Sequence, residues 1–493
     1  MISEKLQQAR DFETQQMNKI PFCERPRFHV TGGVGWINDP NGFGSYKGEY
    51  HLFYQYHPYS RHWGPMHWGH MKTKDFVTWE RLPIALAPDH DFDAIGCFSG
   101  SSVELPEGKQ LLLYTGVSTV ELEDGSRQER EQQCIAIGDG VNYEKYSGNP
   151  VIPTAMIPEG NSKVDFRDPK IWKEGEIYYA IVGSRADDGS GEILLFDSEN
   201  ALEWKYKGVV DSCKNRIGRM WECPDIFSLD GKKVLIISPQ EMEGKGLTFH
   251  PGNGNLFVIG TTENWLNFKE EYIETIDYGT DFYAAQTLLT KDGRRILIAW
   301  LQNWDSSNYG NDDHAFFGQM TFPRELTLRN GHIYQVPVRE LENYRGEKVS
   351  YEKVCIQEEQ MLPKVRGRVM DLELELMPSE KTGYTFHLVL AKNEKYETVI
   401  TVDTRCNTIR MNRAAGGQRG DVLSMREFPI DSLNGSVKLR LLLDMQSVEL
   451  FINDGAMTAT MKLMTPYDAE EICFSADVPV LMNLTKFDLE EKL

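Results

Sequence analysis

Three acids sit in short motifs marked by proline or glycine: Asp39 in GWINDPNGFG, Asp168 in FRDPK and Glu222 in WECPD. Two carboxylates flanking one bond are the recurring equipment for cleaving a glycosidic link. One stays ionised and attacks or stabilises; the other is protonated and donates to the leaving oxygen. Environment separates the two pKa values. Asp39 has the amides of Asn38 and Asn41 beside it, which favour the anion, whereas Glu222 lies among Trp221, Cys223 and Pro224, an apolar setting that favours the neutral acid. Asp168 follows Arg167, so it is expected to stay charged and to hold sugar hydroxyls, with Arg167 offsetting repulsion among the acids. Taken alone, NDPNG is also ordinary turn chemistry. The chemical reading therefore requires elements that bring the three acids together.

A repeat supplies them. A polar–Gly–polar turn followed by an apolar run recurs at Gly48, Gly108, Gly175, Gly231 and Gly293, at intervals of 60, 67, 56 and 62 residues. A second marker, a polar turn leading to an aromatic, recurs at Trp79, Tyr143, Trp204 and Phe268, at intervals of 64, 61 and 64. Between the markers lie short β-branched or aromatic runs with Gly, Asp and Asn turns, and helical periodicity is scarce after residue 20. Five units with room for about four strands each read as a five-bladed β-propeller. Seven to nine residues before each turn glycine stand Asp39, Ser99, Asp168, Glu222 and Ala285. Equivalent positions of a propeller converge on its axis, so the three acids are expected to meet at one end of the channel. The once-per-blade aromatics are expected to pack the blades rather than bind ligand.

The remaining chain divides around this repeat. Residues 1–25 read as a polar, helix-prone leader and residues 26–340 as the propeller. From 350 to 493 the sequence alternates polar and apolar residues, as in RVMDLELELM and VKLRLLLDMQSVELFINDG, which indicates a C-terminal β-sandwich. The fold class is therefore all-β. The sandwich either mediates a homodimer or simply covers the propeller.

Net charge is −21, with 40% hydrophobic, 26% charged and 11% aromatic residues. This balance, without a dense Lys/Arg run, argues against nucleic acid or an anionic membrane as partner, and gives no sign of a dedicated site for a phosphorylated substrate. No apolar stretch reaches the roughly 18 residues that would span a bilayer, and the start lacks a signal-peptide core. Cys23, Cys97, Cys134, Cys213, Cys223, Cys355, Cys406 and Cys473 have no CxxC spacing. Free thiols in a reducing cytoplasm are expected, with no structural metal. His51, His57, His67 and His70 lack a compact ligand spacing, and His67 and His70 are placed near the rim. No cofactor is expected.

WINDPNG, FSGS, FRDP and WECPD, in this order, resemble the signature set of glycoside hydrolase family 32, the invertase and fructanase family. WGHMKTKDFVTWERLPIAL, DFYAAQ, FPREL and SVELFINDG extend the resemblance over almost the whole chain. It implies a propeller with a β-sandwich and retaining hydrolysis of β-fructofuranosidic bonds, with a small sugar such as sucrose or a short fructo-oligosaccharide as substrate. It further implies that Asp39 is the nucleophile, Glu222 the general acid and then base, and Asp168 the transition-state stabiliser. Trp36, Asn38, Gln55, Trp63, Phe98, Ser99, Arg167 and Tyr283 match the family's fructosyl pocket. Within the same chemistry the alternative is a sucrose-6-phosphate hydrolase. A five-bladed glycosidase acting on arabinose or xylose is a second, and a carbohydrate-binding propeller without catalysis a third. Bland readings stand beside the sharp ones: an Arg167–Asp168 ion pair, a buried Glu222 satisfied by backbone donors, core packing for Trp36 and Trp63, and Cys223 as a small filler. Asp225 is ranked below Glu222 because PDIF reads as the start of an inner strand.

Overall fold

The repeat glycines are turns. Gly48, Gly108, Gly175, Gly231 and Gly293 have φ of 84°, 71°, 60°, 85° and 87°, the left-handed region that a Cβ penalises. Each joins the inner strand of a sheet to its neighbour. A computed structural model describes residues 2–307, 315–379, 383–417, 423–432 and 434–491. The inner strands are Gly35–Tyr46, Gly96–Glu104, Phe166–Glu174, Met220–Leu229 and Tyr283–Leu289, and each opens an antiparallel four-stranded sheet. These are the five blades of a β-propeller. A short strand, Phe316–Phe317, adds in parallel to Gly35–Tyr46 and so ties the last blade's chain to the first blade.

The second strands read as continuous apolar runs because blades pack on both of their faces. Leu111 to Tyr114, Val234 to Ile237 and Ile296 to Trp300 are fully buried, and each such aliphatic side chain contributes roughly 1.5–3 kcal/mol. The recurrent aromatics do the same work at the outer edge: Trp204 is in a blade core, with Trp79, Tyr143 and Phe268 packed against others.

Arg345–Ile356 begins a six-stranded sheet that packs on a five-stranded one, forming the β-sandwich. Here alternation holds because only one face is buried. Leu372, Leu374 and Leu376 point into the core, while Glu373 and Glu375 do not. A buried polar seam joins sandwich to propeller. Arg324 reaches Asp277 at 3.0 Å and Glu449 at 3.1 Å, and His29 lies between Asp444 (2.7 Å) and Glu449 (2.9 Å).

The first helix, Glu4–Met17, is capped by Ser3, whose hydroxyl accepts from the Leu6 amide at 3.1 Å. It lies on the first blade. Arg10 donates to the Ile84 carbonyl at 2.9 Å, and the buried Glu13 accepts from the Tyr56 hydroxyl at 2.8 Å. Among the described residues no helix is long and apolar enough to cross a membrane.

Candidate active site

Every inner strand is interrupted at the same level by a β-bulge. Asn38 and Asp39 oppose Gln55, Asp168 and Pro169 oppose Val182, Cys223 and Pro224 oppose Ile237, and Ala284 and Ala285 oppose Ala299; in the second blade Ser99 is the extra residue. Bulges bend a strand and re-aim its side chains, and they tolerate proline because no ladder hydrogen bond is lost there. Asp168, Cys223 and Ala284 take φ of 66°, 48° and 57°. Each such conformation costs about 1–3 kcal/mol, held by the surrounding sheet. The repeat placed the acids at equivalent positions, and the bulge refines this. Asp39 ends its bulge, Asp168 begins its own, and Glu222 immediately precedes one.

All three acids line one cavity of 580 Å³ at the end of the channel. The Asp39 Oδ2 accepts from the Ser99 hydroxyl at 2.6 Å, and its Oδ1 accepts from the Asn38 amide at 3.0 Å. Oδ2 of Asp168 accepts from the Cys223 backbone N–H at 2.9 Å, and the Asp168 N–H donates to the Thr115 hydroxyl at 2.9 Å. One thiol touches two of the acids: Sγ of Cys223 is 3.5 Å from Asp39 and 3.6 Å from Asp168. Glu222 accepts from Arg167 Nε on one oxygen (3.1 Å) and from the Tyr283 hydroxyl on the other (2.7 Å). Arg167 also forks onto Glu131 at 2.9 Å and reaches Asp165 at 3.3 Å.

Burial dominates the electrostatics. It raises the pKa of Asp39, against the hydrogen bonds from Ser99, Asn38 and Cys223 that lower it. Burial also raises Glu222, with Arg167 opposing and the Asp39 charge adding. Asp168 is held well above the ordinary carboxylate range by burial and by Glu222. The charge of Arg167 opposes this rise, as expected, but its hydrogen bonds go to Glu131, Asp165 and Glu222, and burial outweighs it, so the expectation that Asp168 stays charged is corrected. A second correction concerns Asn41. Its side-chain oxygen takes the Gly100 N–H at 3.3 Å, so Asn38 alone supplies the amide to Asp39. The rise of Glu222 through burial is the direction expected of it, and the side chains that hydrogen-bond it are Arg167 and Tyr283.

Asn38, Gln55, Trp63, Phe98, Ser99 and Arg167 line the cavity. Trp36 and Tyr283 stand behind its wall, at 0% and 1% exposure. Trp36 stacks on Phe317 at 4.8 Å and donates to the Asn38 side chain at 2.7 Å, so it positions an amide rather than forming a sugar platform. Tyr283 acts on Glu222. His67 and His70 are buried within the first blade and not at the rim; His70 stacks on Phe53 at 3.9 Å and meets His51 at 2.9 Å. Asp225 lies deeper, where it accepts from Lys170 (2.9 Å) and Thr287 (2.7 Å) and locks three blades together. Glu129, Glu131, Val164, Asp165, Gln240, Asn253 and Trp304 complete the lining. The repeat did not mark them. The alternating acids of the strand Arg127–Gly138 were the one available signal.

Residues 29–337 match the Glycosyl hydrolases family 32 N-terminal domain, and residues 340–481 match the family's C-terminal domain. The chain belongs to glycosyl hydrolase family 32. A sucrose-6-phosphate hydrolase of Zymomonas mobilis is 38% identical over 440 residues, covering 87% of this chain and 84% of that protein. A raffinose invertase of Escherichia coli is 35% identical over 467 residues, covering 92% of each. Among solved structures, a family 32 β-fructofuranosidase of Bombyx mori in complex with sucrose superposes with a TM-score of 0.85, at 30% identity and 98% coverage of both chains. This family 32 chain is thus an enzyme, a glycosidase of the β-fructofuranosidase kind, with the propeller and sandwich that its motifs implied.

Proposed function

We propose that the cavity takes the terminal β-D-fructofuranosyl unit of sucrose or a short fructo-oligosaccharide and transfers it to water through a covalent fructosyl-enzyme. Asp39, fixed by Ser99 and Asn38, attacks the anomeric carbon. Glu222 gives its proton to the leaving oxygen, then takes one from the water that attacks the ester; two displacements return the original anomer. Asp168 hydrogen-bonds the ring hydroxyls, and its ionised form, which burial disfavours, is what offsets the positive charge that develops on the ring. Residues 26–340 carry this chemistry, with 350–493 as a separate covering unit, and the eight free cysteines fit work in the cytoplasm.

One observation carries the reading. Three carboxylates from three different inner strands meet around Cys223, each bound to donors that orient it without consuming every lone pair. A carbohydrate-binding propeller has no need of an ionised and a protonated acid together. Asp39→Asn tests it. We expect kcat on sucrose to fall by on the order of 10³-fold or more with the fold intact by circular dichroism. Near-normal turnover would remove Asp39 from the mechanism. The relatives favour one second reading, with sucrose 6-phosphate as the substrate.

A further inference from the structure

We infer that the leaving-group end of this cavity selects an uncharged sugar and rejects one bearing a phosphate, with Glu129 at the rim as a specificity-determining residue. The inference rests on the fructosidase reading above.

Exposure divides the cavity into floor and rim. Asn38, Gln55, Ser99 and Asp168 are buried and surround Asp39, so the fructosyl unit belongs at the floor. Trp63 is 45% exposed, Glu129 is exposed, and Asp165, Gln240, Asn253 and Trp304 are partly so. The group leaving from the fructose therefore faces indoles, amides and carboxylates.

The charge on that lining is one-sided. Six carboxylates face the cavity (Asp39, Glu129, Glu131, Asp165, Asp168 and Glu222), against a single guanidinium, Arg167. Arg167 is already committed: Nε to Glu222, Nη1 to Glu131 and Nη2 to Asp165. With Glu222 protonated, and even a second acid neutral, negative charge still exceeds positive. A phosphate monoester carries about −1.5 to −2 charge at neutral pH and is held by arginine forks, lysines or clustered backbone N–H groups. Among the described residues that line the cavity, Arg167 is the one Lys or Arg. Arg185 does not line the cavity; it approaches Asp165 at 3.8 Å, and its Nε donates to the Gly189 carbonyl at 3.3 Å.

Glu129 is the position to change. Its backbone pairs with Thr119 across a long hairpin, and among the described residues its side chain makes no ion pair, so substitution leaves the framework alone. It is solvent-facing and lines the cavity, so its effect on a charged leaving group is screened by salt over about 8 Å at physiological ionic strength.

The test is kcat/KM on sucrose and on sucrose 6-phosphate, at low and high ionic strength, for the wild type, Glu129→Gln and Glu129→Lys. We expect the wild type to prefer sucrose at least tenfold at low salt, with a smaller margin at high salt. Glu129→Gln narrows the ratio and Glu129→Lys narrows it further, by tenfold or more in total. A wild type that prefers the phosphate ester, or a ratio that Glu129→Lys leaves unmoved, overturns the inference and leaves the fructosidase reading standing. Release of fructose from neither sugar removes the reading and the inference with it.

Discussion

The Ser99 hydroxyl donates to Oδ2 of Asp39 at 2.6 Å, a bond that crosses from the second inner strand to the first. It ties two blades together at the point where the acid must be aimed. Burial raises the Asp39 pKa and this bond opposes it. A hydrogen bond to a charged group contributes about 1.5–3 kcal/mol. Ser99→Ala should therefore lower kcat/KM roughly ten- to hundredfold and move the acidic limb of the pH–rate profile to higher pH, because the nucleophile must be ionised. A reduced rate with an unmoved acidic limb would mean that Ser99 only shapes the pocket.

Tyr283 does the corresponding work for the acid. Its hydroxyl lies 2.7 Å from Glu222 and 3.0 Å from the Ser238 carbonyl, behind the cavity wall. Donation to the carboxylate lowers the Glu222 pKa against burial, which raises it. Tyr283→Phe should move the basic limb of the profile upward, because Glu222 then keeps its proton to higher pH. Turnover at neutral pH should fall by roughly tenfold as water activation in the second step weakens. A basic limb that stays in place, or moves down, contradicts this assignment.

The five turn glycines and the acids upstream of them were legible because each answers to a local rule: a left-handed turn, then a fixed distance to the axis. The bulges were not legible as bulges, though DP in two blades and CP in a third marked them. What failed were inferences from sequence neighbours. Asn41 and Arg167 adjoin Asp39 and Asp168 closely in the chain, yet the bulged strands send their hydrogen bonds elsewhere, and Arg167 acts on Asp168 through charge alone. The true partners, Ser99 for Asp39 and the Cys223 N–H for Asp168, come from other blades, 60 and 55 residues away. Trp36 leaves two readings open in the sequence, a sugar platform and core packing. An indole beside an active acid suggests a sugar platform, but its stacking on Phe317 and Trp304 fills the space between the first and last blades. The rim residues Gln240, Asn253 and Trp304 lie outside the repeat's markers, so periodicity could not mark them.

The leader helix reaches the cavity at second hand. Phe12 packs on Tyr59 at 5.0 Å, and the loop that carries Tyr59 also carries Trp63, whose ring meets Phe98 edge-on at 5.9 Å. Glu13, buried beneath, anchors the helix to Tyr56 and lies 3.6 Å from Arg81. Phe12→Ala should loosen that loop and raise KM by roughly three- to tenfold with kcat little changed, as for a loss of uniform binding. An unchanged KM would confine the helix to a structural part.

His29 predicts how stability depends on pH. Burial would lower its pKa, but hydrogen bonds and charge from Asp444 and Glu449 outweigh this and raise it to about 9. An unfolded histidine titrates near 6.5. Below about pH 6.5 both states hold the proton and the interaction stabilises fully. Between about 6.5 and 9 only the folded state holds it, so stability falls as pH rises, by roughly 3 kcal/mol in all. The wild-type Tm should therefore drop across this window more steeply than that of His29→Gln. The variant should start lower at pH 6, because Asp444 and Glu449 then lose their shared cation. Asp444 still accepts from the Arg27 and Phe28 amides and Glu449 from Arg324, so the seam should remain folded. Parallel Tm curves for the two proteins between pH 6.5 and 9 would show that the charge on His29 is not what joins the sandwich to the propeller.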